Sequence, residues 1–161
     1  MNYTIQKMTE EVAREILSWT YPAPYDLYNG EVTEESLQEF AENPYYAIEQ
    51  EGNLVGFYCT GFVAQVPIGY LFQAYPEGYL DIGLGMRPDL TGQGRGMGFM
   101  QFIIDSIETK QPLRLTVAAF NKRANALYEK FGFRKVSAFM NANDVEFFVM
   151  TREEGNKPCS G

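Results

Sequence analysis

A mixed domain in which helices cover a β-sheet is the fold class this sequence predicts, on three observations. β-rich runs such as Leu54 to Phe62 and Leu113 to Ala119 alternate with segments whose apolar residues recur at helical spacing. Glycine, proline and short polar stretches fall between them, where the chain must turn. The 161 residues, 45% of them hydrophobic, suffice for one well-buried core. In chain order the elements read βααβββαβαβ, an α/β or α+β arrangement, with residues 1–152 as a single domain and the polar run 153–161 as a flexible tail.

The first strand spans Tyr3 to Lys7. Thr9 then caps a helix that sets Val12, Ile16 and Trp19 on one face, and the run breaks at Tyr21-Pro22-Ala23-Pro24. Thr33 caps a second helix, with Val32 and Leu37 at the positions of a hydrophobic staple and Glu34 and Glu35 at the positive end of the helix dipole. Pro44 bounds it. Tyr45 to Glu49 and Leu54 to Phe62 form strands joined by the hairpin connection Gln50-Glu51-Gly52-Asn53. Beyond a loop with Pro67 and Gly69, Tyr79 to Met86 is another strand. Phe99, Phe102, Ile103, Ile104 and Ile107 follow at helical spacing, and Leu113 to Ala119 is a buried strand. Ala124, Leu127, Tyr128 and Phe131 face one way on a further helix that Gly132 ends in a left-handed conformation, and Val145 to Thr151 is the last strand.

Thirteen Lys and Arg against 21 Asp and Glu give a formal net charge of -8, which argues against docking on a nucleic-acid backbone or an anionic membrane. A polyanionic ligand would have to be held by local geometry. No window approaches the ~18 continuous apolar residues of a membrane span. The opening MNYTIQKMTEEV lacks the apolar core of a signal peptide, so a cytoplasmic protein is expected, and it is taken to be a monomer or homodimer. Cys59 and Cys159 are too few for a disulfide scaffold, and Cys59 reads as a small buried hydrophobe. The absence of histidine excludes His-based triads and His-ligated metal sites, and no metal is expected.

The stretch that carries chemistry is Met86-Arg87-Pro88-Asp89-Leu90-Thr91-Gly92-Gln93-Gly94-Arg95-Gly96-Met97-Gly98, between a strand and an amphipathic helix. Alternating glycines let successive backbone N–H groups converge without Cβ obstruction, and the helix N-terminus adds partial positive charge. The result is an anion cradle suited to a pyrophosphate, or else a glycine-rich connector. Glycines inside a helix cost roughly 0.5–1 kcal/mol each, which favours the cradle. The dinucleotide fingerprint G-x-G-x-x-G fails, because Gly92-x-Gly94 leads to Met97 and Gly94-x-Gly96 to Phe99. A P-loop fails because no Gly-Lys-Ser/Thr follows.

Two motifs together resemble the GNAT superfamily of acyl-CoA-dependent N-acyltransferases. The family's pyrophosphate motif, Gln/Arg-x-x-Gly-x-Gly/Ala, is similar to Thr91-Gly92-Gln93-Gly94-Arg95-Gly96, with Pro88 upstream and Thr91 in place of the usual long side chain. Its second motif resembles Leu115-Thr116-Val117, Asn121 and Leu127-Tyr128-Glu129-Lys130-Phe131-Gly132-Phe133. The resemblance covers Tyr45 to Phe133. It implies a mainly antiparallel sheet of about six to seven strands, whose two central parallel strands, Leu80 to Met86 and Leu113 to Ala119, splay for an acetyl-CoA arm. It implies further that Gly85 and Met86 pair with the pantetheine amides, that Gln93, Gly94, Arg95, Gly96 and Met97 hold the pyrophosphate, and that Asn121 bonds the arm.

A lysine-type amine, with a pKa near ~10.4, must lose a proton before it attacks a thioester, and without histidine the acceptor is a carboxylate, a tyrosinate or a water relay. Asp81 resembles the acidic residue found on this strand in part of the family; its other reading is a structural carboxylate. Tyr128 matches the family's general acid, which would protonate the departing CoA thiolate, and it also suits a core position beside Leu127 and Phe131. Trp19, Tyr21, Tyr25, Asp26 and Tyr28 would border the acceptor pocket, with Asp26 attracting a cationic amine; the same segment also reads as a loop clamped by its own aromatics. The function implied is acetyl transfer from acetyl-CoA to a small-molecule or peptide amine. A non-catalytic acyl-CoA-binding module is the alternative.

Overall fold

The computed structural model describes residues 2–153. The tail from 154 onward, Cys159 included, lies outside the described residues. The elements are β1 (Tyr3–Lys7), α1 (Glu10–Leu17), α2 (Glu34–Glu42), β2 (Tyr45–Gln50), β3 (Asn53–Thr60), β4 (Leu80–Met86), α3 (Gly96–Ser106), β5 (Leu113–Ala118), α4 (Lys122–Lys130), β6 (Arg134–Met140) and β7 (Glu146–Arg152). The strands are ordered β1-β2-β3-β4-β5-β7-β6 in a mostly antiparallel sheet of seven, in which β4 and β5 are parallel. The chain divides into two compact units: one is the chain up to Cys59 with Leu84–Phe99, the other Thr60–Gly83 with the chain from Met100.

In the first unit β1, β2 and β3 form an antiparallel meander, and the hairpin between β2 and β3 is tighter than expected. The strands extend to Gln50 and Asn53, leaving Glu51 and Gly52 at φ 53 and 79, the left-handed pair that matches strand twist. Thr9 caps α1 by accepting from the Val12 amide at 3.2 Å. The helix ends at Leu17 and buries Ala13 and Ile16, with Val12 half-buried beside them, while Trp19, also half-buried, lies past the helix. Thr33 caps α2, but a capping box holds the turn: Ser36 N–H donates to Thr33 Oγ1 at 3.0 Å and Thr33 N–H to Ser36 Oγ at 2.9 Å, while Val32 is exposed.

Glycine allows the close approach of backbone and rings in this unit. A Cβ at Gly56 would stand 2.5 Å from the Phe99 ring and 2.6 Å from the Gly85 carbonyl oxygen, and one at Gly85 would stand 2.4 Å from the Phe57 ring. Phe57 cannot readily give way, because Phe40, Tyr45 and Trp19 surround it with ring centroids at 6.1, 6.2 and 6.4 Å. Gly85→Ala is therefore expected to destabilise the protein by about 1–3 kcal/mol through overpacking. Thermal unfolding checks this, and a melting temperature unchanged from the parent chain would contradict it.

The second unit is built on β5, where Leu113, Leu115, Val117 and Ala118 are buried. β5 pairs with β7 from Leu113↔Arg152 to Ala118↔Phe147, and β7 pairs in turn with β6. β6 is the strand that the sequence reading omitted: it is an exposed edge interrupted between Lys135 and Ser137, so no alternation announces it. β3 ends at Thr60, earlier than expected, because Gly61 takes φ 85 and starts a 3-10 turn, leaving Phe62 69% exposed. Gly132 adopts φ 91 after α4, as expected. The parallel ladder of β4 and β5 covers Leu80↔Leu113 and Asp81↔Arg114.

Candidate active site

In the first unit, the end of β4 leads into a turn knitted by its own side chains. Arg87 N–H donates to Val55 O at 2.8 Å, and its guanidinium reaches Leu54 O at 2.9 Å and Asp89 at 2.7 Å. The hydrogen bond from Arg87 holds the Asp89 carboxyl below its ordinary range. Thr91 Oγ1 donates to Pro88 O at 2.8 Å and Gln93 Nε2 to Asp89 O at 2.6 Å, so both side chains bond back into the turn. Arg95 reaches Gln50 Oε1 at 3.4 Å.

Of the four glycines, Gly92 and Gly94 take left-handed φ of 73 and 75, whereas Gly96 and Gly98 lie on α3. The first i→i−4 bond of that helix runs from Phe99 N–H to Arg95 O at 3.1 Å. The amides of Gly96, Met97 and Gly98 therefore precede the intrahelical ladder, at the positive end of an 11-residue helix. Space for a Cβ at Gly94 is open, with no atom within 4 Å. Main-chain donors, a helix N-terminus and open space suit a pyrophosphate without a surplus of basic side chains.

The aromatic segment expected to border the acceptor lies in the same unit. Trp19 faces Phe57; Tyr25, Asp26 and Tyr28 lie in a 3-10 turn, with Asp26 exposed and Tyr28 41% exposed. Tyr21 N–H donates to Asn29 Oδ1 at 2.6 Å, and its phenol donates to Met86 O at 2.6 Å. Burial pushes the Tyr21 phenol up to about 12. A groove of about 640 Å³ between α1 and α2, lined by Thr9, Arg14, Val32, Leu37 and Phe40 among others, includes none of the residues expected to bind cofactor or acceptor or to act in catalysis.

In the second unit Asp81 is 3% exposed and fully engaged. Arg114 donates to Asp81 Oδ1 from Nε at 2.8 Å and to Oδ2 from NH2 at 2.7 Å, and Gln65 Nε2 donates to Oδ2 at 2.8 Å. The same guanidinium reaches Pro76 O at 2.7 Å and lies over the rings of Tyr75 and Tyr79 at 5.2 and 4.9 Å. Tyr70 donates to Gln65 Oε1, and Tyr75 shares a 2.7 Å hydrogen bond with Thr116. Sequence reasoning passed over Arg114, although a charge within the apolar run Leu113 to Ala119 signals a buried partner. Gln65 carried no signal.

Asn121 caps α4, its Oδ1 accepting from Ala124 N–H at 3.2 Å. Asn125, also missed, donates to Ala118 O at 3.2 Å and to Asn121 O at 2.8 Å, tying the helix start to the end of β5. Tyr128 is 9% exposed on α4, its ring edge-on to Phe133 at 6.2 Å.

A family model described as acetyltransferase (GNAT) family matches residues 11–133. No curated protein matches the chain. Its fold is similar to an N-acetyltransferase from Staphylococcus aureus Mu50, at TM-score 0.67 and 17% identity over 95% of this chain and 99% of that one. It is similar to the aminoglycoside acetyltransferase AAC(6')-Ib solved with paromomycin and acetyl-CoA, at TM-score 0.71 and 17% identity over 97% and 96%. A chimera of the spermidine N-acetyltransferase from Vibrio cholerae matches at TM-score 0.70 and 16% identity over 96% of each chain.

Proposed function

Because the chain belongs to the GNAT acetyltransferase family, we propose that it moves the acetyl group of acetyl-CoA onto a primary amine by direct nucleophilic attack, as a single cytoplasmic domain over residues 1–152. The observation that carries this reading is the pair of left-handed glycines leading into the N-terminus of α3, inside the matched segment. The amides from Gln93 to Met97 would hold the pyrophosphate, Gly85 and Met86 would pair with the pantetheine arm, and Asn121 would steady it. Bound acetyl-CoA supplies the activated carbonyl. Tyr128 donates the proton that the departing thiolate takes up.

For Asp81 the geometry favours the structural reading, since both carboxylate oxygens already accept from Arg114 or Gln65 in a buried pair. The amine's proton then leaves through water or another acid. The acceptor class we infer is a cationic amine, supported by the net charge of -8 and exposed Asp26 on the aromatic segment. Structural neighbours named for aminoglycoside and spermidine acetylation favour the same class.

The test has two arms. Polyamines, aminoglycosides and lysine peptides are screened with acetyl-CoA for release of free thiol, and CoA binding is measured calorimetrically. Gly94→Leu puts a side chain on a left-handed φ within the turn and is expected to weaken CoA binding by about tenfold to a hundredfold, the scale of a few lost charge-assisted hydrogen bonds. A folded Gly94→Leu variant with unchanged affinity would remove the cradle. CoA binding without thiol release from any amine would leave a binding module in place of an enzyme.

A further inference from the structure

Two observations in the first unit converge on Tyr21. The peptide joining Met86 to Arg87 donates its N–H to Val55 on β3. A trans peptide is planar with N–H and C=O opposed, so the Met86 carbonyl points to the side of β4 away from β3. That is the ladder position an added strand would use, and the Tyr21 phenol takes it at 2.6 Å. Tyr21 is clamped at its other end, through its own N–H, to Asn29 at 2.6 Å. Trp19, two residues earlier on the same segment, is the only tryptophan in the chain.

We propose that Tyr21 is a positioning residue that couples the cofactor-binding edge of β4 to the acceptor segment, so that occupancy of that edge by an acyl-CoA arm is read out at Trp19 and its neighbours. This rests on the acetyl-CoA reading above. The arm, once seated, brings amide groups to the edge that Tyr21 already engages; the phenol shares or shifts its bond to Met86 O, and the segment held by Asn29 moves with it. The phenol stays a neutral donor throughout the pH range of an assay, because burial pushes its pKa above the already high range of an ordinary phenol. The residue thus acts on the order of the acceptor segment rather than on the reacting atoms.

Trp19 lets the coupling be measured without knowing the acceptor. CoA is titrated into the full chain while indole emission is followed, with binding measured in parallel by calorimetry. Trp19 emission is expected to change as CoA binds. Tyr21→Phe keeps the ring and removes the donor; it should bind CoA within about threefold of the parent, the order of one neutral hydrogen bond, while losing most of the emission change. Asn29→Ala releases the same segment from its other anchor and should have the same effect, which keeps the test open if Tyr21→Phe folds poorly. Full emission change in a Tyr21→Phe variant that binds CoA overturns the coupling, as does silent Trp19 emission in a parent chain that binds CoA. A parent chain that binds no CoA by calorimetry instead overturns the acetyl-CoA reading, so the two failures are distinguishable.

Discussion

Tyr128→Phe is expected to lower turnover about 10²–10⁴-fold, the usual cost of losing a general acid, while leaving CoA affinity and melting temperature near those of the parent chain. The structural half of that expectation follows from packing. Tyr128 is 9% exposed and meets Phe133 edge-on at 6.2 Å, and phenylalanine keeps the ring that makes this contact. The chemical half follows from the leaving group. A CoA thiol that titrates like free cysteine, near ~8.5, departs below that pH as a thiolate that must be protonated. The deficit of the variant should therefore be largest below about pH 8.5 and narrow above it, where the thiolate is stable without a proton. Single-turnover rates across that range check both points. Parent-level turnover in Tyr128→Phe, with chemistry rate-limiting, would end the assignment.

The second large effect is on stability. Asp81→Asn leaves the Arg114 guanidinium, 3% exposed, without its counter-charge, and breaking one side of a buried pair costs about 3–5 kcal/mol. For a chain of this size the melting temperature should fall by roughly 6–20 °C. Replacing both partners with apolar residues, as in Asp81→Leu with Arg114→Met, removes the orphaned charge and should recover much of the loss. Because the carboxylate is engaged on both oxygens, the acidic limb of the pH–rate profile should hold its position in Asp81→Asn. An unchanged melting temperature with a lost acidic limb would restore Asp81 as the base.

How far the site could be read in the sequence differs from residue to residue. Thr9 and Thr33 were recognisable as caps because an N-cap needs only an oxygen near amides two or three positions on. Gly132 was recognisable because a left-handed residue follows a helix end, and Gly92 and Gly94 because a tight turn must precede the next helix. Trp19 was read as part of α1 although the helix ends at Leu17, because apolar spacing alone does not mark where a helix stops. β6 went unread because an exposed, irregular edge strand exists through its pairing with β7 and has no apolar alternation of its own.

The sequence by itself determined the order of the elements as far as α4, the glycine turn ahead of an amphipathic helix, and the acidic balance of the chain. Each of these rests on residues a few positions apart, where propensity, capping and steric freedom act. Only the tertiary structure decided which groups Asp81 and Tyr21 bond to. Their partners Arg114 and Met86 lie 33 and 65 positions away, and the choice among possible partners is made by strand register and by the need to satisfy every buried charge and carbonyl, neither of which is a local property of the chain.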